Sequence, residues 1–102
     1  MSPTLLPANF DYQGAIPLWQ LHASGKKITR ELTFQNFEKA FAFMMLVAQR
    51  AEEMDHHPDW SNSWNWVKIE LSTHSAGGLT GLDIDLALAI DQIASQVQSA
   101  KA

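Results

Sequence analysis

The hydrophobic periodicity of this chain changes along its length, and this change restricts the fold more than any other feature. Between Trp66 and Thr73 apolar and polar residues alternate, with Val67, Ile69 and Leu71 on one side, as in a strand buried on one face. On both sides of this segment the apolar residues recur every three or four positions, which is typical of amphipathic helices. A chain with both patterns is expected to pack helices against a sheet.

The upstream helical pattern predicts one long helix that ends near a proline. Spacings of four and three residues predict that its buried face is formed by Phe37, Phe41, Met44, Ala48 and Ala51. Asn36 can accept a hydrogen bond from the first free amides, and Pro58 disfavours helical geometry in the residue before it. We therefore expect the helix to begin at Asn36 and to stop around residues 55–57.

A second long helix is predicted near the carboxyl end of the chain. Thr80 and Asp83 have the spacing of a capping box, with Asp at the position where Glu is preferred. The buried stripe of this helix is predicted to consist of Leu86, Ile90, Ile93 and Val97. The polar residues that follow would lie on the opposite side or in a frayed tail.

Two hairpins are predicted, one on each side of the first long helix. The apolar side of the first hairpin is interrupted by Arg30 and comprises Trp19, Leu21, Ala23, Ile28, Leu32 and Phe34. The second hairpin joins a short strand at residues 60–64 to the strand at 66–73. The predicted class is α+β, a two-layer sandwich in which a four-stranded antiparallel sheet packs against two main helices in the order β-β-α-β-β-α.

The length of 102 residues predicts a single domain, because two cores would each be too small to bury enough apolar surface. Residues 1–17 contain three prolines and a glycine with little periodicity, so they are predicted to form a loosely ordered lead-in. The domain itself is expected to span residues 18–98, and residues 99–102 to form a frayed tail.

Composition and charge argue against several classes of partner. The net charge is -4, and the seven basic residues are scattered, so direct nucleic-acid binding is not expected. The apolar stretches are far shorter than a bilayer span, and the first residues lack the pattern of a secretion signal. With no cysteine there is no disulfide framework or thiolate metal site, and a cytosolic location is expected.

Titratable residues concentrate at the predicted junction between the first long helix and the next strand. His56 and His57 lie there, and imidazole is the side chain that exchanges protons most readily near neutral pH. Glu52 precedes His56 by four residues, so the two would share a helix face if the helix continued that far. His74 follows the strand at 66–73 and could reach this pair only through tertiary folding.

Structural and metal-binding roles are alternatives for these residues. The adjacent histidines could simply end a helix, and His74 could lie on a loop. Together with Asp55 or Asp59 they could bind a metal, although adjacent histidines without a second spaced motif match no strong zinc pattern, and no metal is expected. Among the tryptophans at 60, 64 and 66, at least two should pack on the sheet, and Trp60 is predicted to form a pocket wall. His22 is interpreted as a surface residue.

Several spaced blocks of the chain resemble the pterin-4a-carbinolamine dehydratase family. The blocks are Asp55–Trp60, Leu71–His74, Gly78–Thr80, and then Asp83, Leu86, Ala87, Ile90 and Asp91. Residues 34–37 and 40–44 also resemble the family's central helix, which extends the resemblance over most of the chain after Trp19. One departure is Leu82, where animal relatives often carry a basic residue.

The resemblance implies an activity, namely dehydration of a 4a-hydroxytetrahydropterin to quinonoid dihydropterin, which supports tetrahydrobiopterin recycling for aromatic amino acid hydroxylases. No cofactor is implied, because the pterin is the substrate. By resemblance the catalytic residues are His56, His57 and His74. The implied substrate-binding residues are Asp55, His56, His57, Ser72, Thr73, His74 and Ser75, with Glu52, Trp60 and Asp83 in supporting positions.

The resemblance also implies an alternative function. Some relatives act as transcription coactivators through a helical surface, and others assist enzyme assembly, so a non-catalytic interaction protein on the same fold is possible. The presence of all three histidines and the absence of a basic import-type cluster favour the enzyme. A homodimer or homotetramer is expected, because an exposed edge of the sheet could pair with another subunit.

Overall fold

The computed structural model describes residues 3–99 of the chain. The strands are β1 (Gln20–Leu21), β2 (Ile28–Thr33), β3 (Asp59–Ser63) and β4 (Trp66–Leu71), and the helices are α1 (Tyr12–Ala15), α2 (Phe37–Met54) and α3 (Gly81–Ser99). A single 3-10 turn, His74–Ala76, follows β4. The predicted α+β class and the order β-β-α-β-β-α of the main elements are confirmed. Of the predicted tail at residues 99–102, only Ser99 is described, and it belongs to α3. The rest of the tail lies outside the described residues.

All neighbouring strands are antiparallel, and their order in the sheet is β1-β2-β4-β3. The central ladder pairs Ile28 with Leu71 at one end and Thr33 with Trp66 at the other. On β4 the predicted inward residues Val67, Ile69 and Leu71 are all fully buried. Strands β1 and β3 form the two edges of the sheet.

The first predicted hairpin is present, but its first strand is short, because only Gln20 and Leu21 pair with β2. Trp19 precedes this strand and is buried, whereas Leu21 is 46% exposed. Arg30, which interrupts the apolar side of β2, forms an ion pair of 2.5 Å with Asp91 on α3. The Trp19 indole donates to the same carboxylate at 2.8 Å. An edge strand pairs with one neighbour only, so β1 ends where its pairing with β2 ends, although the alternation of side chains continues further.

Helix α2 begins and ends as predicted, but its predicted buried face was only partly correct: Ala51 is buried and Met44 packs against the core, whereas the other three predicted residues are exposed. The Asn36 side chain accepts a hydrogen bond from the backbone of Lys39. Phe37 is 47% exposed and Phe41 is 49% exposed, and their rings stack on each other at the surface. The residues buried against the sheet and α3 are Ala40, Phe43, Val47 and Ala51. Because α2 is apolar on two sides, its periodicity fits two faces equally well.

Helix α3 carries the predicted buried stripe, since Leu86, Ile90 and Val97 are buried and Ile93 packs against the core while partly exposed. The predicted capping box is also present. The Thr80 backbone amide donates to the Asp83 carboxylate at 2.9 Å, and the Leu82 amide donates to the Thr80 hydroxyl at 3.2 Å. The acidic residue of the cap is fully buried.

Part of the predicted lead-in lies against the sheet-and-helix body of the protein. Leu5 forms an isolated bridge with Thr80, and Ile16 is fully buried in the core. The short helix α1 is capped by Asp11, whose side chain accepts from the Gly14 amide. The expected limits of the domain, 18–98, remain a prediction. Within residues 3–99 no helix is both long and apolar enough to cross a membrane.

Candidate active site

An open cleft of about 600 Å³ lies where the end of α2 meets the segment that follows β4. A volume of this size is typical of small-molecule sites. The cleft contains every residue predicted to bind substrate and brings the three histidines from two distant parts of the chain to one place. It is lined by Pro3, Met54, Asp55, His56, His57, Pro58, Asp59, Ser72, Thr73, His74, Ser75 and Leu82.

The end of α2 turns the two adjacent histidines in different directions. Asp55 has the left-handed conformation, with φ of 52°, and its amide bonds to carbonyl groups of the last helical turn. Aspartate is one of the few residues that adopt this conformation readily. After this turn the His56 side chain is 9% exposed, whereas the His57 side chain is 55% exposed. His56 is therefore buried, and His57 faces solvent.

Glu52 does not pair with His56, because the helix does not continue far enough to place the two side chains on one face. The His56 ring instead places its Nε2 atom 2.7 Å from Oδ1 of Asp83, on α3. Glu52 lies 2.5 Å from Nε2 of His57. The spacing of four residues holds only inside a helix, and α2 ends at Met54, so the turn at Asp55 moves His56 away from Glu52.

Asp83 is the centre of a buried polar network behind the cleft. Its Oδ2 atom accepts hydrogen bonds from the Thr73 hydroxyl at 2.8 Å and from the Thr80 amide at 2.9 Å. The two threonine hydroxyls lie 2.8 Å apart. Burial raises the pKa of the Tyr12 phenol above 10.0, and the nearby charge of Asp83 raises this pKa further. Thr73, Thr80 and Asp83 are buried, and Tyr12 is partly buried beside them.

The other two histidines also face carboxylates, but at the surface. His74 begins the 3-10 turn after β4, and its Nε2 atom lies 3.4 Å from the carboxylate of Asp59, the first residue of β3. The side chains of His74 and Asp59 are 78% and 63% exposed. Each of the three histidines is thus paired with its own carboxylate, two of them in solvent and one in the interior.

The predicted site residues have different places around the cleft. Asp55, Ser72 and Ser75 line it, whereas Thr73 lines it while its hydroxyl points to Asp83 in the interior. Glu52 and Asp83 are outside the lining and contact the cleft through His57 and His56. These positions are compatible with the supporting roles expected for both carboxylates.

The predicted pocket wall, Trp60, does not line the histidine cleft. It packs against the core and borders a neighbouring depression formed with Asp59, Ser61, Lys68 and Glu70. Trp66 is partly buried and donates from its indole to Glu31, whereas Trp64 is 64% exposed in the β3–β4 turn. His22 is exposed as expected and contacts Ser24.

Several lining residues had not been assigned to the site from the sequence. The sequence offers Asp59 as a possible metal ligand and as part of the Asp55–Trp60 block, but predicts no role for it in substrate binding. Met54 and Leu82 supply apolar surface. Leu82 stands out in the sequence as a departure from the family pattern, whereas Met54 carries no signal of this role. Pro3 reaches the cleft because the chain start pairs with the segment before α3, where Leu5 bridges Thr80. Within residues 3–99 no group of three or more acidic, histidine or cysteine side chains is arranged to hold a metal ion.

The fold and the cleft define a small α+β protein with a histidine-based polar site, and comparison with known proteins identifies its family. The family profile described as pterin 4 alpha carbinolamine dehydratase matches residues 7–93. The chain belongs to this family. A protein of Mesorhizobium japonicum whose name assigns it to the pterin-4-alpha-carbinolamine dehydratases is 56% identical over 69 residues, which cover 68% of this chain and 70% of that protein.

Solved structures give the same result for the fold. A crystal structure described as transcriptional coactivator/pterin dehydratase from Brucella melitensis matches with a TM-score of 0.82 and 39% identity, and the match covers 88% of this chain and 98% of that one. A pterin dehydratase-like protein described as a RuBisCO assembly factor in the alpha-carboxysome matches with a TM-score of 0.65 and 21% identity, over 74% of this chain and 88% of that one. The second match shows the fold alone.

Proposed function

We propose that this protein catalyses the dehydration of 4a-hydroxytetrahydropterin, the 4a-carbinolamine, to quinonoid dihydropterin and water. One observation carries the proposal: three histidines, each beside a carboxylate, converge on one cleft. Membership of the dehydratase family agrees with it. The protein would act as a hydro-lyase, and by resemblance the catalytic residues are His56, His57 and His74.

The reaction requires an acid and a base at different places on the pterin ring. The bond between C4a and its hydroxyl oxygen breaks, an acid protonates the departing oxygen, and a base removes the proton from the adjacent ring nitrogen. His56 comes from the end of α2 and His74 from the segment after β4, so they can approach the ring from two directions. We assign the acid and base work to this pair and the positioning of the pterin to His57.

The wider role of this activity would be recycling of tetrahydrobiopterin. An aromatic amino acid hydroxylase that uses a tetrahydropterin releases it as the 4a-carbinolamine, so the class of reaction that supplies the substrate is a pterin-dependent hydroxylation. A cytosolic location belongs to this proposal. A homodimer or homotetramer also belongs to it, and the exposed edge strand β3 and the exposed aromatic rings on α2 are surfaces that could join copies of the chain.

The test is stopped-flow absorbance of 4a-carbinolamine decay, without protein and with the wild type or single variants. The wild type should accelerate decay, and His56→Ala and His74→Ala should each lower the rate by about 10²-fold or more, as for loss of a general acid or base. His22→Ala is the matched control, because His22 contacts only surface groups near the β1–β2 turn among the described contacts. Decay at the uncatalysed rate in the presence of the wild type would contradict the proposal.

A second candidate is a non-catalytic interaction protein, such as a coactivator or an assembly factor. It is favoured by the outer side of α2, where Phe37, Phe41 and Met45 are 47%, 49% and 61% exposed. Isolated exposed apolar residues are common, but several at helical spacing can mark a contact surface. The words coactivator and assembly factor in the descriptions of the two similar structures agree with this candidate. An inactive wild type would make it the leading interpretation.

A further inference from the structure

Thr73 has no free group with which to bind a substrate, although it borders the cleft. Its side chain is buried, and its hydroxyl bonds to Asp83 and Thr80 in the interior. Its backbone amide donates to the Gly78 carbonyl at 2.8 Å, and its carbonyl accepts from the amides of Ala76 and Gly77. The residue is therefore held on both its main chain and its side chain.

The direction of the hydrogen bonds around Thr73 follows from the number of protons available. A hydroxyl has a single proton, and Thr73 gives its proton to Oδ2 of Asp83. In the contact between the two hydroxyls Thr80 must then be the donor. The Thr80 oxygen in turn accepts from the Leu82 amide. The result is an ordered chain of donors that starts at the backbone of α3 and ends on one carboxylate oxygen.

This series of hydrogen bonds determines what the second oxygen of Asp83 can contact. Oδ2 already accepts from the Thr73 hydroxyl and the Thr80 amide, which aligns the carboxylate and leaves Oδ1 directed at His56. A carboxylate accepts and does not donate, so Nε2 of His56 is the donor at this contact. In the neutral ring Nδ1 is then the nitrogen without a proton, and it is the only ring nitrogen left for a substrate.

We propose that Thr73 is a positioning residue, which orients Asp83 so that His56 keeps its proton on Nε2 and offers Nδ1 to the cleft. The proposal rests on the dehydratase function for its catalytic consequence, but the state of the His56 ring is independent of any activity. A buried network in which every member is satisfied is suited to hold one arrangement, since an unpaired polar group in the interior is costly. Within residues 3–99 no buried side-chain nitrogen or oxygen lacks a partner.

The first experiment is nitrogen-15 NMR of the histidine rings, at a pH at which His56 is neutral, with the His56 signals identified by their loss in His56→Ala. The wild type should show His56 with its proton on Nε2. Thr73→Val removes the hydroxyl and keeps the shape, and it should produce a mixture of the two ring forms. Thr73→Ser restores the hydroxyl and should restore the wild-type form. His57 and His74 should not change.

The matched control is Thr33→Val, the same substitution at the opposite end of the central ladder. It should leave the His56 signals unchanged. A neutral His56 with its proton on Nδ1 in the wild type would overturn the proposal without any variant, so the test stands even if Thr73→Val does not fold. An unchanged ring form in a folded Thr73→Val protein would overturn it as well.

The catalytic consequence is measured in the same decay assay. Thr73→Val should lower kcat about 10-fold to 100-fold, as expected for misplacement of a reacting group. It should leave KM nearly unchanged, because the hydroxyl bonds to Asp83 and Thr80 in the interior. Thr73→Ser should recover most of kcat. If the wild type itself is inactive, the proposed function fails while the NMR result still decides the role of Thr73. A folded Thr73→Val protein with wild-type kcat would refute the positioning role.

Discussion

His56 and Asp83 lie 27 residues apart in the chain, yet the Nε2 atom of the ring is 2.7 Å from an oxygen of the carboxylate. The same carboxylate caps α3 through the Thr80 amide. One buried side chain therefore begins a helix and fixes a histidine of the candidate site. Both stability and activity are therefore expected to depend on Asp83. The exposed pairs of His57 with Glu52 and of His74 with Asp59 should contribute little to stability.

Replacing Asp83 with asparagine should damage both properties. An amide can keep its oxygen towards Thr73 and Thr80, but its NH₂ group then faces Nε2 of His56. Either two donors meet there or the ring proton moves to Nδ1, and in both cases the contact with the carboxylate is lost. We expect the free energy of unfolding to fall by about 1–3 kcal/mol, the cost of leaving a buried polar group unsatisfied. Urea unfolding measures this loss, and the carbinolamine decay assay should show a rate lowered about 10²-fold.

Asp85→Asn is the control for this substitution, since Asp85 lies on the same helix and is exposed. It should leave both measurements close to the wild type. Equal losses in the two variants would mean that a general effect of charge on α3, and not the contact with His56, is responsible.

Replacing Glu52 with glutamine should leave stability almost unchanged. Its pair with His57 is exposed, with side chains 77% and 55% accessible, and ion pairs in solvent contribute little. We expect a change in the free energy of unfolding below about 0.5 kcal/mol and a smaller loss of rate than in His56→Ala. The control is Glu53→Gln, next along the helix and paired with Arg50 at 3.3 Å. A large loss of stability in the Glu52 variant alone would contradict this assignment.

Replacing Asp91 with alanine should destabilise the sheet-to-helix contact. Its Oδ1 atom accepts from both Arg30 and Trp19, and the Arg30 side chain is only 15% exposed on the core side of β2. Loss of the carboxylate leaves a largely buried guanidinium without its charge partner, so we expect a loss of about 2–3 kcal/mol in urea unfolding.

The double variant Arg30→Met with Asp91→Ala tests the origin of that loss. Methionine suits the apolar side of β2, where Ile28 and Leu32 flank Arg30 and are buried. The double variant should therefore be more stable than the sum of the two single changes predicts, by about 1 kcal/mol or more. Strict additivity would show that the charge pair is not the source of the loss.

Tyr12 should make stability decline in alkaline solution. Folding raises the pKa of its phenol, first through burial and then through the charge of Asp83. The native state thus holds this proton more tightly than the unfolded chain, so the contribution to stability is complete below the ordinary pKa of 10.0 and is lost as the pH rises through the higher folded value.

Tyr12 is the single tyrosine of the chain, so its phenolate absorbance reports this group alone. Absorbance titration of the folded protein should give a midpoint above 10.0. The Tyr12→Phe variant should lose less stability than the wild type between pH 10.0 and the folded value. Equal declines in both proteins would assign the alkaline loss to other groups.

Much of the fold was predictable because it depends on local patterns. Alternation at Val67, Ile69 and Leu71 predicted a half-buried strand, and the spacing of Thr80 and Asp83 predicted the start of α3. The buried face of α2 could not be predicted in this way. Its apolar residues occupy two sides of the helix, and packing against the sheet and α3 selected Phe43 and Val47 over Phe37 and Phe41.

The sequence by itself determined the α+β class, both ends of α2, the start of α3 and the three histidines that line the cleft. Only the tertiary structure decided how each histidine is paired. A left-handed turn at Asp55 directs His56 into the interior, where α3 brings Asp83, and leaves Glu52 to His57. Local spacing cannot encode such pairing, because the distance between side chains 27 residues apart is set by how the helices and the sheet pack together.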